Sequence, residues 1–303
     1  MKIDNAQLAA FAAVLSEGSF EAAARRLHLT PSAISQRLKQ LEERLGQVLL
    51  QRTIPCQPTV AGKTLARFTG QLALLEAELL NEVGAGVGDD GEAPMPLRIP
   101  MVVNADSLDS WFIDVFDELA STTAIRFDIR VEDQDHSAAL LKDGSVMAAV
   151  SASPDAVAGC LVEPLGVMRY LAVASPEFLQ RYFSQGATVA SFRQAPTLVF
   201  NRKDGLQQRF IARFTDEEVL APTHFLPSTH GFVDAARRGL GWGMMPEHFL
   251  REGMRLGELC EIAPGHPLDV PLYWHRWRLD SPALKALSET VHRAAADALY
   301  AFT

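Results

Sequence analysis

The chain has 303 residues, 48% of them hydrophobic and 21% charged, and its net charge is −9. This length is enough for two domains, and the composition is that of an ordinary globular protein with real hydrophobic cores. Because no apolar run approaches the length of a membrane span and the N-terminus lacks a signal-peptide pattern, we expect a soluble, cytoplasmic protein. The three cysteines have no paired spacing, which argues against a disulfide framework or a zinc site.

The charge is unevenly distributed along the chain. Residues 1–65 contain eight Lys and Arg residues against five Asp and Glu residues, a net charge of +3. The remaining residues contain 20 basic and 32 acidic side chains, a net charge of −12. A small basic N-terminal part on an acidic body suits a protein whose N-terminal part binds phosphate groups while its body has another task.

Three helical patterns follow one another at the N-terminus. The first, NAQLAAFAAVLSEG, ends at Gly18, the second begins at Ser19, and the third begins with Thr30 and Pro31 and stops at Gly46. Ser and Thr are favoured N-caps, Pro is favoured at the first helical position, and Gly commonly ends a helix. The short connection between the second and third helices predicts a helix-turn-helix.

The third helix has one apolar and one polar face. Its apolar residues are spaced four, three and four apart, as one buried stripe requires: Ile34, Leu38, Leu41 and Leu45. The opposite face carries hydroxyls, an amide and an ammonium, which bind base edges and phosphates in a major groove: Ser32, Ser35, Gln36 and Lys39. A plain three-helix cluster with a solvated polar face would show the same pattern, but the basic balance favours DNA.

The stretch FAAVLSEGSFEAAARRLHLTPSAISQRLKQLEERLGQVLLQR, with PTVAGKTL after it, resembles the N-terminal signature of LysR-type transcriptional regulators. The match runs from Phe11 to Leu65, and one departure is Leu50, where the family usually has Phe. The resemblance implies a winged helix-turn-helix over residues 1–58, with TIPCQPT as the wing. We interpret Cys56 in the wing as a family idiosyncrasy or a small packing residue rather than a redox switch. The resemblance also implies DNA contacts from seven residues: Thr30, Ser32, Ser35, Gln36, Arg37, Lys39 and Arg52.

A long helix is predicted over residues 59–83. Its apolar residues alternate between spacings of three and four, the pattern of a coiled-coil seam: Leu65, Phe68, Leu72, Leu75 and Leu79. A helix packed on its own body is the alternative. We prefer a dimerisation helix because two DNA half-sites need a two-fold partner, and LysR-type regulators are similar in using this helix to dimerise. Residues 84–96 are acidic and rich in Gly and Pro, which predicts a hinge.

After the hinge, strand-like and helix-like patterns alternate over residues 97–303. LRIPMVV leads into a helix predicted at Trp111–Leu119, and YLAVAS opens a second set that continues through TLVFN, GFVDAARRG and GWGMMP. Such alternation predicts an α/β architecture with largely parallel sheets. We predict one lobe from about 97–150 and 267–303, a second from about 151–266, and a cleft between them. The resemblance implies a periplasmic-binding-protein-like effector domain with its signal molecule in that cleft.

No pattern in the chain predicts an enzyme. GLGWG at residues 239–243 follows a helix and precedes a strand, the reverse of a dinucleotide-binding loop, and it predicts a helix stop and a tight strand entry. The chain contains no G-x-S-x-G, H-E-x-x-H or P-loop motif, and its eight histidines are scattered. We therefore expect neither catalysis nor a bound metal or cofactor.

Polar side chains stand where the predicted strands end. The candidates for ligand binding at these strand ends and at one helix start are Asn104, Asp106, Ser107, Glu132, Asp133, Asp204 and Thr229. Each by itself is typical of a helix cap or a solvated loop. In open sheets, however, ligands bind beyond the carboxyl ends of strands, so the joint position of these residues favours a shared cleft.

The chemistry of these residues suits a basic amino acid. Free helix N–H groups with Ser107 can bind a carboxylate, and Asp106 can face an α-ammonium, although it can also serve only as a helix cap. A further acid, Glu132, Asp133 or Asp204, can meet a side-chain cation. The stretches NADSL, VED, YLAVASPEF and LYWHR resemble the ArgP/LysG branch of the LysR family. That resemblance implies a response to lysine or arginine and activation of basic amino-acid export genes.

The resulting hypothesis is a transcriptional activator that binds double-stranded DNA as a homodimer or a dimer of dimers. It would take lysine or arginine as its effector, need no cofactor and act together with RNA polymerase. The alternative is a broadly binding nucleoid-type or replication-origin-binding protein whose lobes serve only assembly. The sequence leaves the preference between lysine and arginine open.

Overall fold

A computed structural model describes residues 3–83, 97–122, 125–131 and 137–302. The predicted hinge at 84–96 and two of the candidate ligand-binding acids, Glu132 and Asp133, lie outside these residues. The described chain forms a helical head, a long connecting helix and a two-lobed body of strands and helices. The predicted fold class, α/β with an all-α head, is confirmed.

The head consists of three helices followed by a two-stranded wing. Their bounds are α1 (Asn5–Glu17), α2 (Phe20–Arg26), α3 (Pro31–Leu45), β1 (Leu50–Gln51) and β2 (Gln57–Pro58). Ser19 and Thr30 each accept a backbone N–H from the first turn of the helix that follows. Gly18 and Gly46 end α1 and α3 with left-handed φ values of +73° and +65°. The sequence predicted all four of these helix limits.

The head core is formed by one face of each helix. Ile34, Leu38 and Leu41 of α3 are at most 1% exposed, whereas Leu45 at the end of the helix is only half-buried. Cys56 of the wing is buried in the same core, as predicted, and burial raises the pKa of its thiol. The polar face of α3 is therefore the face that the head turns outward.

The connecting helix α4 (Val60–Glu82) packs on both the head and the body. Leu65 is buried in the head core, and Leu74 is buried in the body core. On the body side, Glu78 accepts a hydrogen bond from the Ser281 hydroxyl at 2.5 Å. The helix thus lies against its own chain, which was the alternative to a dimerisation helix.

A second face of α4 is uncovered in the single chain. Three residues of the predicted seam are more than one-third exposed: Phe68, Leu75 and Leu79. Leu72 is half-buried against the head core. The sequence places Leu65 on the seam as well. In the structure Leu65 is buried between α4 and the head, so it is not part of the uncovered face.

The body is built on a seven-stranded sheet and a separate strand pair. Its strands are β3 (Leu97–Val103), β4 (Ile125–Val131), β5 (Ala148–Ser151), β6 (Cys160–Ala174), β7 (Thr197–Val199), β8 (Thr223–Phe225), β9 (Gly243–Pro246), β10 (Cys260–Glu261) and β11 (Leu268–Trp277). The order in the large sheet is β10-β6-β11-β5-β3-β4, with β9 also paired to β6. Parallel pairing joins β3 to β4, β3 to β5, and β7 to β8.

The prediction of largely parallel sheets is wrong. The longest pairing, β6 with β11, is antiparallel, and β5, β9 and β10 also pair antiparallel with these two strands. The physical reason is that β6 and β11 each run through both lobes in opposite directions. Lobe I lies around β3, β4 and β5, and lobe II around β7, β8, β9 and β10. β6 and β11 are shared by both lobes, so the strands do not define a residue at which one lobe ends. The lobe limits predicted from the sequence therefore stay a prediction.

Nine helices of the described residues cover the sheets of the body. They are α5 (Ala105–Leu108), α6 (Phe112–Thr122), α7 (Ser137–Asp143), α8 (Pro176–Tyr182), α9 (Val189–Gln194), α10 (Leu206–Ile211), α11 (Thr229–Arg237), α12 (Glu247–Arg255) and α13 (Pro282–Ala298). The helix predicted at Trp111–Leu119 begins at Phe112, and the preceding NADSL segment forms a separate single turn, α5. Asp106 and Ser107 are therefore not at the N-terminus of the long helix, because the chain turns again between the two.

Candidate nucleic-acid interface and ligand cavity

Helix α3 carries an exposed polar face opposite the head core. Ser32, Gln36 and Lys39 follow one another at spacings of four and three, and all three are exposed. The Lys39 ammonium lies 3.7 Å from Glu43 on the same face. Thr30 is exposed at the N-cap, with its hydroxyl 2.9 Å from that of Ser32. These side chains form one continuous hydrogen-bonding surface at the N-terminal half of the helix.

The other predicted DNA-binding residues lie at the edges of this surface. Ser35 and Arg37 are half-buried, and Arg37 is placed beside the buried stripe rather than opposite to it. Arg52 is exposed at the start of the wing, and its guanidinium carbon lies 5.3 Å from the centroid of the Phe20 ring. A helix of this width with a flanking wing suits a major groove and the neighbouring phosphates.

A small cavity of about 30 Å³ is lined by residues of lobe II and by Asp106 of lobe I. Its described walls are mostly apolar and include three aromatic rings: Phe200, Phe232 and Phe249. The polar side chains that line it are Asp106, Asp204 and Thr229. Three of the seven predicted ligand-binding residues, distant in sequence, are thus brought together by the fold.

Asp106 connects the two lobes across this cavity. Its Oδ2 accepts a hydrogen bond from the Tyr170 hydroxyl at 2.7 Å, and its Oδ1 lies 3.5 Å from the Thr229 hydroxyl. Burial, opposed by the Tyr170 hydrogen bond and assisted by the nearby charge of Asp204, raises the pKa of Asp106 to about 6. The carboxylate does not cap a helix, so that interpretation of Asp106 is wrong.

Asp204, the second carboxylate that lines the cavity, is oriented by two backbone N–H groups. Its Oδ2 accepts the backbone N–H of Phe200 and its Oδ1 accepts that of Leu206, both at 3.0 Å. The two bonds fix the plane of the carboxylate and leave its remaining lone pairs available. Among the described residues that line the cavity, none is Lys, Arg or His. Two carboxyl groups therefore share an apolar cavity without a lining cation.

Asn104 and Ser107 lie on either side of Asp106 but behind the cavity wall. Asn104 is 2% exposed and Ser107 has no exposed surface, and neither lines the cavity in this conformation. Both amide atoms of Asn104 and the hydroxyl of Ser107 are buried without a hydrogen-bond partner. Buried polar groups are normally paired, so these three atoms mark a place where a further polar group would be favourable.

Sequence reasoning missed Tyr170 and the aromatic walls. Tyr170 is in the middle of an apolar strand, β6, and only the tertiary structure places its hydroxyl beside Asp106. Phe232 fits against the strand entry at Gly243, where any side chain would collide with the ring. The GLGWG segment thus serves as the predicted helix stop and strand entry, with Gly239 at a φ of +70°. Gly243 is a sequence signal that another group packs closely against this strand, and that group is Phe232. No such signal marks Tyr170.

The described residues contain neither a metal-binding cluster nor a helix that could span a membrane. No group of three His, Cys, Asp or Glu side chains among them could hold a metal ion. Within the same part of the chain, no helix is long and apolar enough to cross a membrane.

Two family descriptions match the chain. "Bacterial regulatory helix-turn-helix protein, lysR family" matches residues 6–63, and "LysR substrate binding domain" matches residues 107–296. The first covers the head and the start of α4. The second covers the lobes, including every described residue that lines the cavity except Asp106 itself.

The chain is also similar to individual proteins over nearly its whole length. It is 50% identical over 300 residues to the transcriptional regulator LysG of Mycobacterium tuberculosis, covering 99% of this chain and 95% of that protein. It is 39% identical over 294 residues to the lysine export transcriptional regulatory protein LysG of Corynebacterium glutamicum, covering 97% and 98%. A full-length structure of C. glutamicum LysG with bound effector arginine has a TM-score of 0.77 and 37% identity, covering 98% and 99%.

Proposed function

The chain belongs to the LysR family of bacterial helix-turn-helix regulators, and from this we propose that it activates basic amino-acid export or metabolism genes when lysine or arginine occupies its interlobe cavity. As a member of this family it is a DNA-binding transcriptional regulator and not an enzyme. The protein acts in the cytoplasm, where it meets DNA, free amino acids and RNA polymerase.

The observation that carries the effector proposal is the pair of carboxyl groups in the cavity. Asp106 and Asp204 face a mostly apolar space whose described lining offers no cation to neutralise them. Ionised carboxylates are costly in such a place unless a positive group pairs with them. A ligand with two cationic groups, an α-ammonium and a side-chain ammonium or guanidinium, supplies both partners. Lysine and arginine have this charge pattern, and neutral amino acids do not.

The roles follow from where each residue lies. Asp106 binds the α-ammonium, Thr229 borders the same group from lobe II, and Asp204 binds the side-chain cation through a carboxylate that is already oriented. Asn104 and Ser107 lie behind the cavity wall in this conformation, and their unpartnered donors are assigned to the effector's carboxylate. Glu132 and Asp133 are retained as candidates for the side-chain cation. The bound arginine of C. glutamicum LysG supports an amino-acid ligand of this class.

The DNA-binding proposal rests on the outward face of α3. Ser32, Ser35, Gln36 and Lys39 read bases and phosphates in the major groove, with Thr30 and Arg37 at its edges and Arg52 of the wing beside the neighbouring backbone. Two such heads are needed for two half-sites, so the protein is proposed to act as a homodimer or a dimer of dimers. The exposed apolar residues Phe68, Leu75 and Leu79 support α4 as the dimerisation helix.

A binding titration with chosen ligands tests the effector proposal. By calorimetry on the full chain, L-lysine or L-arginine should bind. L-norleucine, which lacks the side-chain cation, and agmatine, which lacks the carboxylate, should bind at least about tenfold more weakly. Asp204→Asn should weaken L-arginine binding and bring its affinity closer to that of neutral L-citrulline. Equal binding of L-norleucine and L-lysine would contradict the proposal that the cavity binds two cationic groups of one ligand.

Two leucine variants of α4 test the dimer. Leu79→Lys should shift the protein towards monomer in sedimentation, because it charges an exposed apolar position. Leu65→Ala should instead lower the melting temperature, because Leu65 is 8% exposed and packs in the head core. Unchanged association of Leu79→Lys would remove α4 as the dimer contact.

Competition with unrelated DNA at physiological salt separates a regulator from a broadly binding nucleoid-type protein. A regulator retains specific binding that is about a thousandfold or more tighter than its non-specific binding. A protein that coats DNA loses its preference in this competition, since phosphate contacts supply nearly all of its affinity.

A further inference from the structure

The C-terminal tail joins the two lobes outside the cavity. After α13, Tyr300 exchanges two backbone hydrogen bonds with Val167 of β6, at 2.8 and 3.0 Å. The tail can lie this close because Gly166 has no side chain: a Cβ there would be 2.7 Å from that of Leu299. The Tyr300 hydroxyl then donates to Glu247 Oε2 at 2.6 Å, and Glu247 is the first residue of α12 in lobe II. One side chain thus ties the last helix of lobe I to lobe II.

The ring of Tyr300 has a second partner on the crossing strands. The guanidinium carbon of Arg169 lies 4.5 Å from the ring centroid, within the range of a cation–π contact. Arg169 is itself oriented by two hydrogen bonds of 2.8 Å to Asp269, its direct register partner on β11. Tyr300 is therefore held from one side by β6 and β11 and from the other by α12.

Each side-chain partner of Tyr300 is next in sequence to a residue that lines the cavity or binds a lining residue. Arg169 precedes Tyr170, which donates to Asp106, and Glu247 follows Pro246, which lines the cavity. Tyr170 and Pro246 are direct partners in the pairing of β6 with β9. Phe249, in the same first turn of α12 as Glu247, is another wall residue. Tyr300 thus binds α12 on the side away from the cavity, while Phe249 of the same helix lines the cavity.

We propose that Tyr300 is a positioning residue for effector binding, acting through Glu247 to hold the first turn of α12 against the cavity. This inference rests on the proposed function. Tyr300 does not touch the effector. Its effect comes from the fraction of molecules in which Pro246 and Phe249 stand in the binding arrangement, and apparent affinity falls in proportion to that fraction. The hydroxyl is the critical group, because Glu247 is the only lobe II residue to which it donates in the described chain.

The test compares Tyr300→Phe with Tyr273→Phe in the full-length protein. Tyr300→Phe keeps the ring and its contact with Arg169 but removes the bond to Glu247. Tyr273 is a half-buried tyrosine of β11 whose ring lies 5.6 Å from that of Phe302, and it serves as the matched control. Calorimetry with L-lysine and L-arginine should show affinity about three- to tenfold weaker for Tyr300→Phe, the net effect of losing one solvent-exposed hydrogen bond. Tyr273→Phe should bind like the natural protein.

A double-mutant cycle ties the effect to Glu247. Glu247→Gln, whose amide oxygen still accepts from the tyrosine, should bind the effector nearly normally, whereas Glu247→Ala should match Tyr300→Phe. Combining Glu247→Ala with Tyr300→Phe should add little, since both remove the same bond. Operator affinity without effector should be unchanged in all these variants.

Two results would overturn the inference in different ways. If Tyr300→Phe lowers the melting temperature but binds lysine and arginine as tightly as the natural protein, the tail is only structural and the proposed function stands. If the natural protein binds neither amino acid, the proposed function fails and the inference fails with it.

Discussion

The head and the cavity differ in how the fold places their polar side chains. Ser32, Gln36 and Lys39 stand on one helix and face outward, so their arrangement depends on a single local element. Asp106 and Thr229 are 123 residues apart and come together only because two lobes meet. The polar surface of α3 therefore forms together with that helix, whereas the contact between Asp106 and Thr229 requires the two lobes to be packed against each other. This difference is what allows a ligand to act as a signal, because a ligand shifts only states that it binds unequally.

The strongest test of this separation removes the centre of the head core. Leu38 is 1% exposed, so Leu38→Ala should destabilise the head by about 2–5 kcal/mol through lost burial and an unfilled cavity. Operator binding should fall with it, while lysine and arginine binding in the body should remain. Leu45→Ala, at a half-buried position of the same stripe, should cost clearly less. Denaturant unfolding and calorimetry measure the two effects, and parallel loss of effector binding would show that the two regions are not independent.

Asp106 offers a pH-dependent test of the other region. Its pKa is raised from 3.8 to about 6 in the folded protein, so between these values the folded chain binds more protons than the unfolded chain. Stability therefore falls as the pH rises through this window. Asp106→Asn avoids the buried charge and should raise the free energy of unfolding of the effector-free protein by up to about 3 kcal/mol at pH 8, but hardly at pH 4.

The same substitution should abolish effector binding, because an amide does not neutralise an ammonium. Asp114→Asn, at an exposed position in the first turn of α6, is the control and should change neither property. An equal gain in stability at both pH values would mean that the charge of Asp106 is not the cause.

Two substitutions on α3 test whether it is the recognition helix and separate base contacts from phosphate contacts. Gln36→Ala should relax sequence preference at one base pair, at a cost of about tenfold in operator affinity. Lys39→Ala should weaken binding to all sequences and reduce the dependence of affinity on salt by about one ion. Fluorescence titrations on operator and mutated operator at two salt concentrations distinguish them. If both variants bind like the natural protein, α3 is not the recognition helix.

The smallest effect is expected at Thr229. Its hydroxyl is 3.5 Å from Asp106, the limit of a hydrogen bond, so Thr229→Val should weaken effector binding by no more than about threefold. Calorimetry on the full chain measures this. A loss much beyond tenfold would mean that Thr229 forms a short bond in the effector-bound state and bears more of the recognition than its present distance indicates.

Much of the head was predictable because its determinants are local. Thr30, Pro31 and Gly46 set the limits of α3, and the spacing of Ile34, Leu38 and Leu41 set the face that is buried. The same holds for Gly239, which stops α11 where the sequence indicates. Caps, turn residues and helical periodicity act within a few residues of chain, so the sequence carries them without reference to the rest of the molecule.

Features that depend on distant partners became visible only in the folded chain. Local sequence patterns were sufficient for the family, the head, the α/β class of the body and the polar positions at strand ends. They could not show that β6 and β11 run antiparallel through both lobes, or that Leu65 is buried by the head. The sequence also could not pair Asp106 with Tyr170. A tyrosine within an apolar strand is predicted to be a core residue, and its hydrogen-bond partner is known only from the folded structure. Periodicity shows which face of an element is buried, and only assembly shows what it is buried against.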